Sequence, residues 1–262
     1  MKDLNEVENF LLDLDGTIYL GDNLIEGAIE FLKTLEKKDK KVFFLTNNSS
    51  KDRFNYQDKL QRMGISASPE QILTSGEATA IYLNRENPGA RIFLLGTPIL
   101  AEEFKRADFE LIEKGEADYV VLGFDTTLTY EKLWQACDYI REGTTYIATH
   151  PDLNCPLGQG RYMPDAGAII KFIEASTEKY PLVIGKPSLH MIDSLQEKHR
   201  INRKYTDLVG DRLYTDIQMG INAGITSILV LTGETTAEQS CLSAIKPSYI
   251  FPSVRELAFE IA

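Results

Sequence analysis

Phe10-Leu11-Leu12-Asp13-Leu14-Asp15-Gly16-Thr17 is an apolar run that stops abruptly in two carboxylates two residues apart, then a glycine and a threonine. Runs of this kind form the buried strands of parallel sheets. The carboxyl ends of such strands are where open α/β sheets bind ligands, and Gly16 lets the backbone turn sharply there. In an extended strand Asp13 and Asp15 point the same way. Two carboxylates so close repel unless a cation or a shared proton compensates. Magnesium, which takes oxygen ligands in octahedral geometry, meets that need. One carboxylate can then attack a phosphorus while the other, protonated, feeds a proton to the leaving group. A solvated acidic turn would carry the same residues, so the rest of the chain has to decide.

The bulk numbers narrow the class. The chain has 262 residues, 43% hydrophobic and 26% charged, enough for one large domain or two modest ones. A net charge of −11 has the wrong sign for sequence-independent nucleic-acid binding. No apolar run approaches the roughly 18 residues of a membrane span. Residues 1–9 are acidic and polar, unlike a signal peptide, and the key strand follows with no room for a cleaved leader. Cys137, Cys155 and Cys241 are far apart and form no Cys-x-x-Cys pair. They read as thiols of a reducing cytoplasm.

Strand and helix patterns alternate from here on. A helical stripe runs from Leu24 to Lys38, then Val42 to Leu45 reads as a buried strand ending in Thr46-Asn47-Asn48-Ser49-Ser50. A helix to about Met63, the strand at Ile72–Leu73 and a helix to about Arg85 follow. Asn87-Pro88-Gly89 marks a turn and a boundary. A second α/β series begins there, with strands at Arg91, Tyr119 and Tyr146 and a helix from Tyr130 behind the N-cap Thr129. Trp134, beside Leu133 and Ile140, reads as core of this section. A glycine-rich connection and a helix from about Ala166 to Ala175 close it. From Pro181 short strands with polar ends return: Leu182-Val183-Ile184 before Gly185-Lys186-Pro187, and Asp207-Leu208-Val209 before Gly210-Asp211, with Asp216 beyond. Alternation of this kind means a parallel sheet.

Four apolar strands thus end in Asp13/Asp15, Thr46/Asn47, Lys186 and Asp211/Asp216. If the strands are parallel, all four clusters share one edge of one sheet. Singly each has a plain alternative: a turn, a helix cap or a solvated lysine. Together they form one chemistry. Asp13, Asp15 and Asp211 can hold Mg2+, with Asp216 supporting directly or through water. Thr46 and the Asn47 amide can donate to phosphate oxygens, and Lys186 supplies positive charge where negative charge accumulates. Phosphoryl transfer needs this set. Asn48 either contacts substrate or caps the following helix.

These four clusters, in this order, resemble the four motifs of the haloacid dehalogenase-like hydrolase superfamily. Leu45-Thr46-Asn47-Asn48-Ser49, Gly123-Phe124-Asp125, Thr149-His150-Pro151-Asp152 and Pro164-Asp165-Ala166-Gly167 look like its NagD-like branch of sugar-phosphate and p-nitrophenyl phosphatases. The resemblance implies a Rossmann-like parallel-sheet core over 1–84 and 176–262, with an inserted α/β cap over 85–175. It implies that Asp13 attacks phosphorus and forms an aspartyl-phosphate. Asp15 then protonates the leaving alcohol, activates water, and ligates magnesium through its carbonyl. In the cap, His150 takes a substrate-facing or structural role rather than a proton-transfer one, and Asp152, Asn154 and Asp165 are candidates to line the substrate side.

The sequence-based expectation is therefore a cytoplasmic, magnesium-dependent phosphatase of small phosphomonoesters, acting as monomer or homodimer, with no nucleic-acid or membrane partner. Two rivals stand beside it. One is a phosphomutase of the same superfamily. The other is a phospho-accepting or ligand-binding signalling domain, against which Asp15 and the 85–175 insertion speak.

Overall fold

The computed structural model describes residues 4–158 and 161–261, and in it the expected parallel α/β architecture is present. The chain forms two compact units, one of residues 1–46, 56–73 and 187–262 and one of residues 47–55 and 74–186. The expected 85–175 insertion lies within the second unit, and 74–84, 176–186 and 47–55 fall with it.

The first unit is built on a six-stranded sheet in the order Tyr249–Phe251, Thr226–Val230, Thr206–Gly210, Asn9–Asp13, Lys41–Thr46, Ile72–Thr74. Asn9–Asp13 is its centre, paired in parallel with Thr206–Gly210 on one side and Lys41–Thr46 on the other. All five of its residues are buried. Phe10, Leu11 and Leu12 are wholly enclosed, each contributing on the order of 2 kcal/mol of apolar burial. Phe10 and Leu12 join Phe31, Leu35, Phe44, Leu60, Val209, Ile228 and Leu257 in one core. From this strand the chain lays successive strands first to one side, then to the other. The order therefore reverses between Asn9–Asp13 and Thr206–Gly210, the position where open α/β sheets hold their ligands.

The second unit has its own parallel sheet, in the order Leu182–Val183, Thr145–Ala148, Tyr119–Leu122, Arg91–Leu95, Glu110–Leu111. Its core joins Phe93, Leu95, Val120, Leu122, Leu133, Ile140 and Ile170. The Ser75–Glu86 and Pro98–Arg106 helices pack closely where Gly76 stands. A Cβ there would meet Glu103 Oε2 at 2.6 Å and Leu100 Cδ1 at 2.7 Å.

Several expectations need correction. Leu182–Val183 pairs with Thr145–Ala148, so Lys186 follows the edge strand of the second sheet and the four clusters do not share one sheet. A two-residue strand carries no periodicity to say which sheet it joins. Trp134 is 61% exposed, while Leu133 and Ile140 are buried. One residue further round a helix is 100° away from the buried stripe. The helix expected from Leu24 runs only over Ala28–Lys37, because Tyr19–Leu20 and Asn23–Leu24 pair as a small hairpin. The glycine-rich connection contains an antiparallel hairpin, Asn154–Gly158 with Arg161–Pro164; its residues 159 and 160 lie outside the described residues.

Candidate active site

In the first unit the central strand delivers Asp13 to its carboxyl end, 7% exposed. The chain then turns tightly. The Leu14 carbonyl accepts from the N–H groups of Thr17, Ile18 and Tyr19, and Gly16 N–H donates to the Tyr19 carbonyl at 2.7 Å. Gly16 has φ of +97°, a conformation other residues adopt at a cost. It also has no room for a side chain, since a Cβ would sit 2.5 Å from Asp211 Oδ2. Thr17 Oγ1 donates to Asp13 Oδ2 at 3.4 Å.

Asp211 follows the neighbouring strand and is 2% exposed. A loop wraps it. Glu234 N–H donates to Asp211 Oδ2 at 2.6 Å, Thr235 N–H donates to its carbonyl, and Thr232 Oγ1 donates to the Gly16 carbonyl at 2.6 Å. At Gly233 a Cβ would lie 2.0 Å from Asp211 Oδ2, so only glycine closes this loop. Asp216 sits on a π-helical turn, Leu213–Ile217, wholly buried, a local geometry that recurs at functional sites. Its Oδ2 accepts from Arg212 N–H at 3.1 Å.

Asp13, Asp211 and Asp216 each offer an oxygen within 4.8 Å of the others. Asp211 Oδ1 is buried with no hydrogen-bond partner. Burial, then the Asp13 charge, then the Asp216 charge push the Asp211 carboxyl well above its usual range. Three acidic groups held together without solvent are unfavourable as they stand. The donor set, hard oxygens around one point with one oxygen orphaned, fits a magnesium ion. The Asp15 carboxylate is not part of this triad. It lies on the turn, near enough to Tyr19 to raise that phenol further, after burial. Thr46 ends the strand on the other side of Asn9–Asp13 and is 4% exposed.

In the second unit Asn47 and Lys186, 139 positions apart, are brought together. Asn47 Oδ1 accepts from Lys186 N–H at 2.8 Å, and Asn47 Nδ2 donates to the Lys186 carbonyl at 3.0 Å. The same Nδ2 donates to Asp152 Oδ1 at 3.0 Å. The Asn47 side chain is thus engaged with protein through both its oxygen and its nitrogen. Asn48 Oδ1 accepts from Ser50 N–H and Ser50 Oγ, an Asx-type turn ahead of the Arg53–Arg62 helix.

His150 is wholly buried, with Nε2 3.5 Å from Asp165 and Nδ1 3.9 Å from Asp152. Asp165 caps the Ala166–Thr177 helix, its Oδ1 accepting from Ala166 N–H at 2.6 Å. Asp152 and Asp165 are buried, and Asn154 is exposed. The Asp152–Asn47 bond was not foreseen. Thr149-His150-Pro151-Asp152 stands out in the sequence, but nothing in it says which residue it bonds 105 positions away.

Known families, sequences and structures resemble this chain. A family model of haloacid dehalogenase-like hydrolases matches residues 10–110, and a HAD-hydrolase-like model matches residues 183–257. An acid sugar phosphatase of Staphylococcus aureus is 36% identical over 258 residues, 98% of this chain and 99% of the relative. The crystal structure of a 4-nitrophenylphosphatase from Thermotoga maritima superposes with a TM-score of 0.95 at 47% identity, over 100% of both chains. A glycerol phosphate phosphatase from Mycobacterium tuberculosis, solved in complex with magnesium, matches with a TM-score of 0.90 at 30% identity, covering 98% of this chain and 78% of its own.

Proposed function

This chain belongs to the haloacid dehalogenase-like hydrolase family and is a phosphatase, and we propose that it hydrolyses small phosphomonoesters, sugar phosphates foremost, through an aspartyl-phosphate on Asp13. The observation that carries the reading is the buried triad of Asp13, Asp211 and Asp216 with its orphaned oxygen, at the sheet's reversal point. The sugar-phosphate assignment leans on the acid sugar phosphatase relative, and p-nitrophenyl phosphate is the expected artificial substrate.

Asp13, Asp211 and Asp216, with the Asp15 carbonyl, would hold Mg2+, which when bound neutralises the carboxylates and the phosphoryl oxygens. A carboxylate oxygen of Asp13 attacks phosphorus in line, and Asp15 gives its proton to the departing alkoxide. Asp15 then takes a proton from water, which attacks phosphorus and releases phosphate and free Asp13. The Thr46 hydroxyl, the Asn47 main-chain N–H and the Lys186 ammonium are assigned to the phosphoryl oxygens, where negative charge develops. The 85–175 section is assigned as the cap that excludes water and sets specificity. Among the described residues no helix is long and apolar enough to cross a membrane, in keeping with a proposed cytoplasmic enzyme.

The test is phosphate release from a panel of sugar phosphates, nucleotides and p-nitrophenyl phosphate, with magnesium and then with chelator. Magnesium-dependent turnover, ranked by kcat/KM, supports the reading and narrows the substrate. Undiminished turnover in chelator would refute the metal assignment. A phosphoryl group that stays on Asp13 without turnover would point to a signalling domain instead.

A further inference from the structure

Lys186 is 2% exposed, so the reach of its ammonium depends on where its main chain is held. That main chain is gripped on both sides by one side chain, the Asn47 carboxamide. A carboxamide can present either end, and the two orientations differ only in which atom donates. Here the Lys186 main chain, with one N–H and one carbonyl, selects the orientation, and Asp152 reinforces it. A carboxylate only accepts, so Asp152 Oδ1 takes the other N–H of the Asn47 NH2 group at 3.0 Å and ties down the side chain that grips Lys186.

Asp152 is itself fixed by its surroundings. Its carbonyl accepts from Gly167 N–H at 2.8 Å, and a Cβ on Gly167 would lie 2.2 Å from the Pro151 carbonyl. Thr149, three residues earlier, pairs its hydroxyl with Ser49 at 2.9 Å. On the lysine side a Cβ on Gly185 would lie 2.5 Å from the Thr149 carbonyl and 2.7 Å from Asn47 Oδ1. Both ends of the Asp152–Asn47–Lys186 line therefore rest on backbone that approaches too closely for any side chain.

We propose that Asp152 is a positioning residue for phosphoryl transfer: through the Asn47 carboxamide it holds the main chain of Lys186 and so aims the ammonium. This rests on the reading above, in which Lys186 serves the phosphoryl oxygens. Misplacement of a charged group by about 1 Å can cost up to about 100-fold in rate, so a residue that never meets the substrate can still govern turnover.

The experiment is a double-mutant cycle on the full chain, with magnesium and p-nitrophenyl phosphate, kcat and KM being measured separately. Asp152→Ala lowers kcat about 10- to 100-fold. Asp152→Asn, which keeps an acceptor oxygen, stays within about threefold of the parent. In a Lys186→Met background Asp152→Ala adds less than about threefold, because the two act as one unit. Equal losses in both backgrounds would assign Asp152 a general structural role and overturn the proposal. A parental rate for folded Asp152→Ala beside a slow Lys186→Met would overturn it while sparing the role of Lys186. A parental rate for Lys186→Met would overturn that role and the relay with it. Should Asp152→Ala fail to fold, an exchange decides. Asn47→Asp sets a carboxylate against both Asp152 and the Lys186 carbonyl, and adding Asp152→Asn relieves the first of these and recovers kcat at least about twofold if the relay operates. No recovery overturns it.

Discussion

Gly210 and Asp216 occupy nearly the same space: a Cβ on Gly210 would lie 2.3 Å from Asp216 Cγ. The glycine before Asp211 is thus there for the carboxylate six positions along the chain rather than for its own backbone. Gly210→Ala must displace Asp216 from the triad. Overpacking of this kind costs about 1–3 kcal/mol, readable in urea unfolding. We expect kcat to fall at least about 100-fold, and the magnesium concentration for half-maximal activity to rise. A parental magnesium response in folded Gly210→Ala would refute the link.

Asp13→Asn removes the attacking oxygen's charge at constant volume, so turnover is abolished and the fold kept. The Asp13 charge is the second cause, after burial, of the raised Asp211 carboxyl. Its removal relieves the metal-free triad, and the Tm in chelator rises above that of the parent. An active, folded Asp13→Asn protein would sink the covalent mechanism, and a lowered Tm in chelator would contradict the repulsion.

Asp15 stands outside the carboxylate triad. Asp15→Asn therefore lowers kcat by about 100- to 10,000-fold, the usual loss of a general acid, while magnesium still raises Tm by mass action. Loss of the magnesium shift in this variant would mean that the Asp15 side chain holds the ion.

Glu103 gives a pH prediction away from the triad. Burial, then the charges of Glu77 and Asp52, raise its carboxyl from 4.5 to about 8, against the opposing pull of Arg106 and Arg53. A carboxyl raised in the folded state lends its stability fully below the unfolded value and loses it as pH rises through the folded one. Stability should therefore fall from about pH 4.5 to about pH 8 by a few kcal/mol at most. Glu103→Gln removes that slope and is the more stable protein at pH 9. Parallel urea-unfolding profiles for parent and variant would refute it.

Much of the chemistry is legible because it is written locally. Asp13, Asp15, Thr46 and Asp211 each follow an apolar run closely in the chain, with Asp216 on the turn beyond, and the end of a parallel strand is a place in the fold as well as in the sequence. The N-cap at Thr129 is equally local, and it forms. Trp134 was misread because a helical stripe fixes which face is buried only to within a residue. Leu182–Val183 was misread because two residues cannot declare their sheet. That the carboxamide of Asn47 bonds Asp152 was not legible, since nothing nearby in the chain announces Asp152.

The sequence by itself therefore determined the parallel α/β class and the acidic residues at the strand ends, because hydrophobic periodicity and strand-end chemistry act over a few neighbouring residues, and its motifs carried the family resemblance. Only the tertiary structure decided which carboxylates form the triad, why Gly16, Gly210 and Gly233 must be glycine beside them, and that Asn47 grips Lys186 under the hold of Asp152. Those outcomes depend on atoms brought within 2–5 Å from positions far apart in the chain, where packing and desolvation, rather than local preference, select the partner.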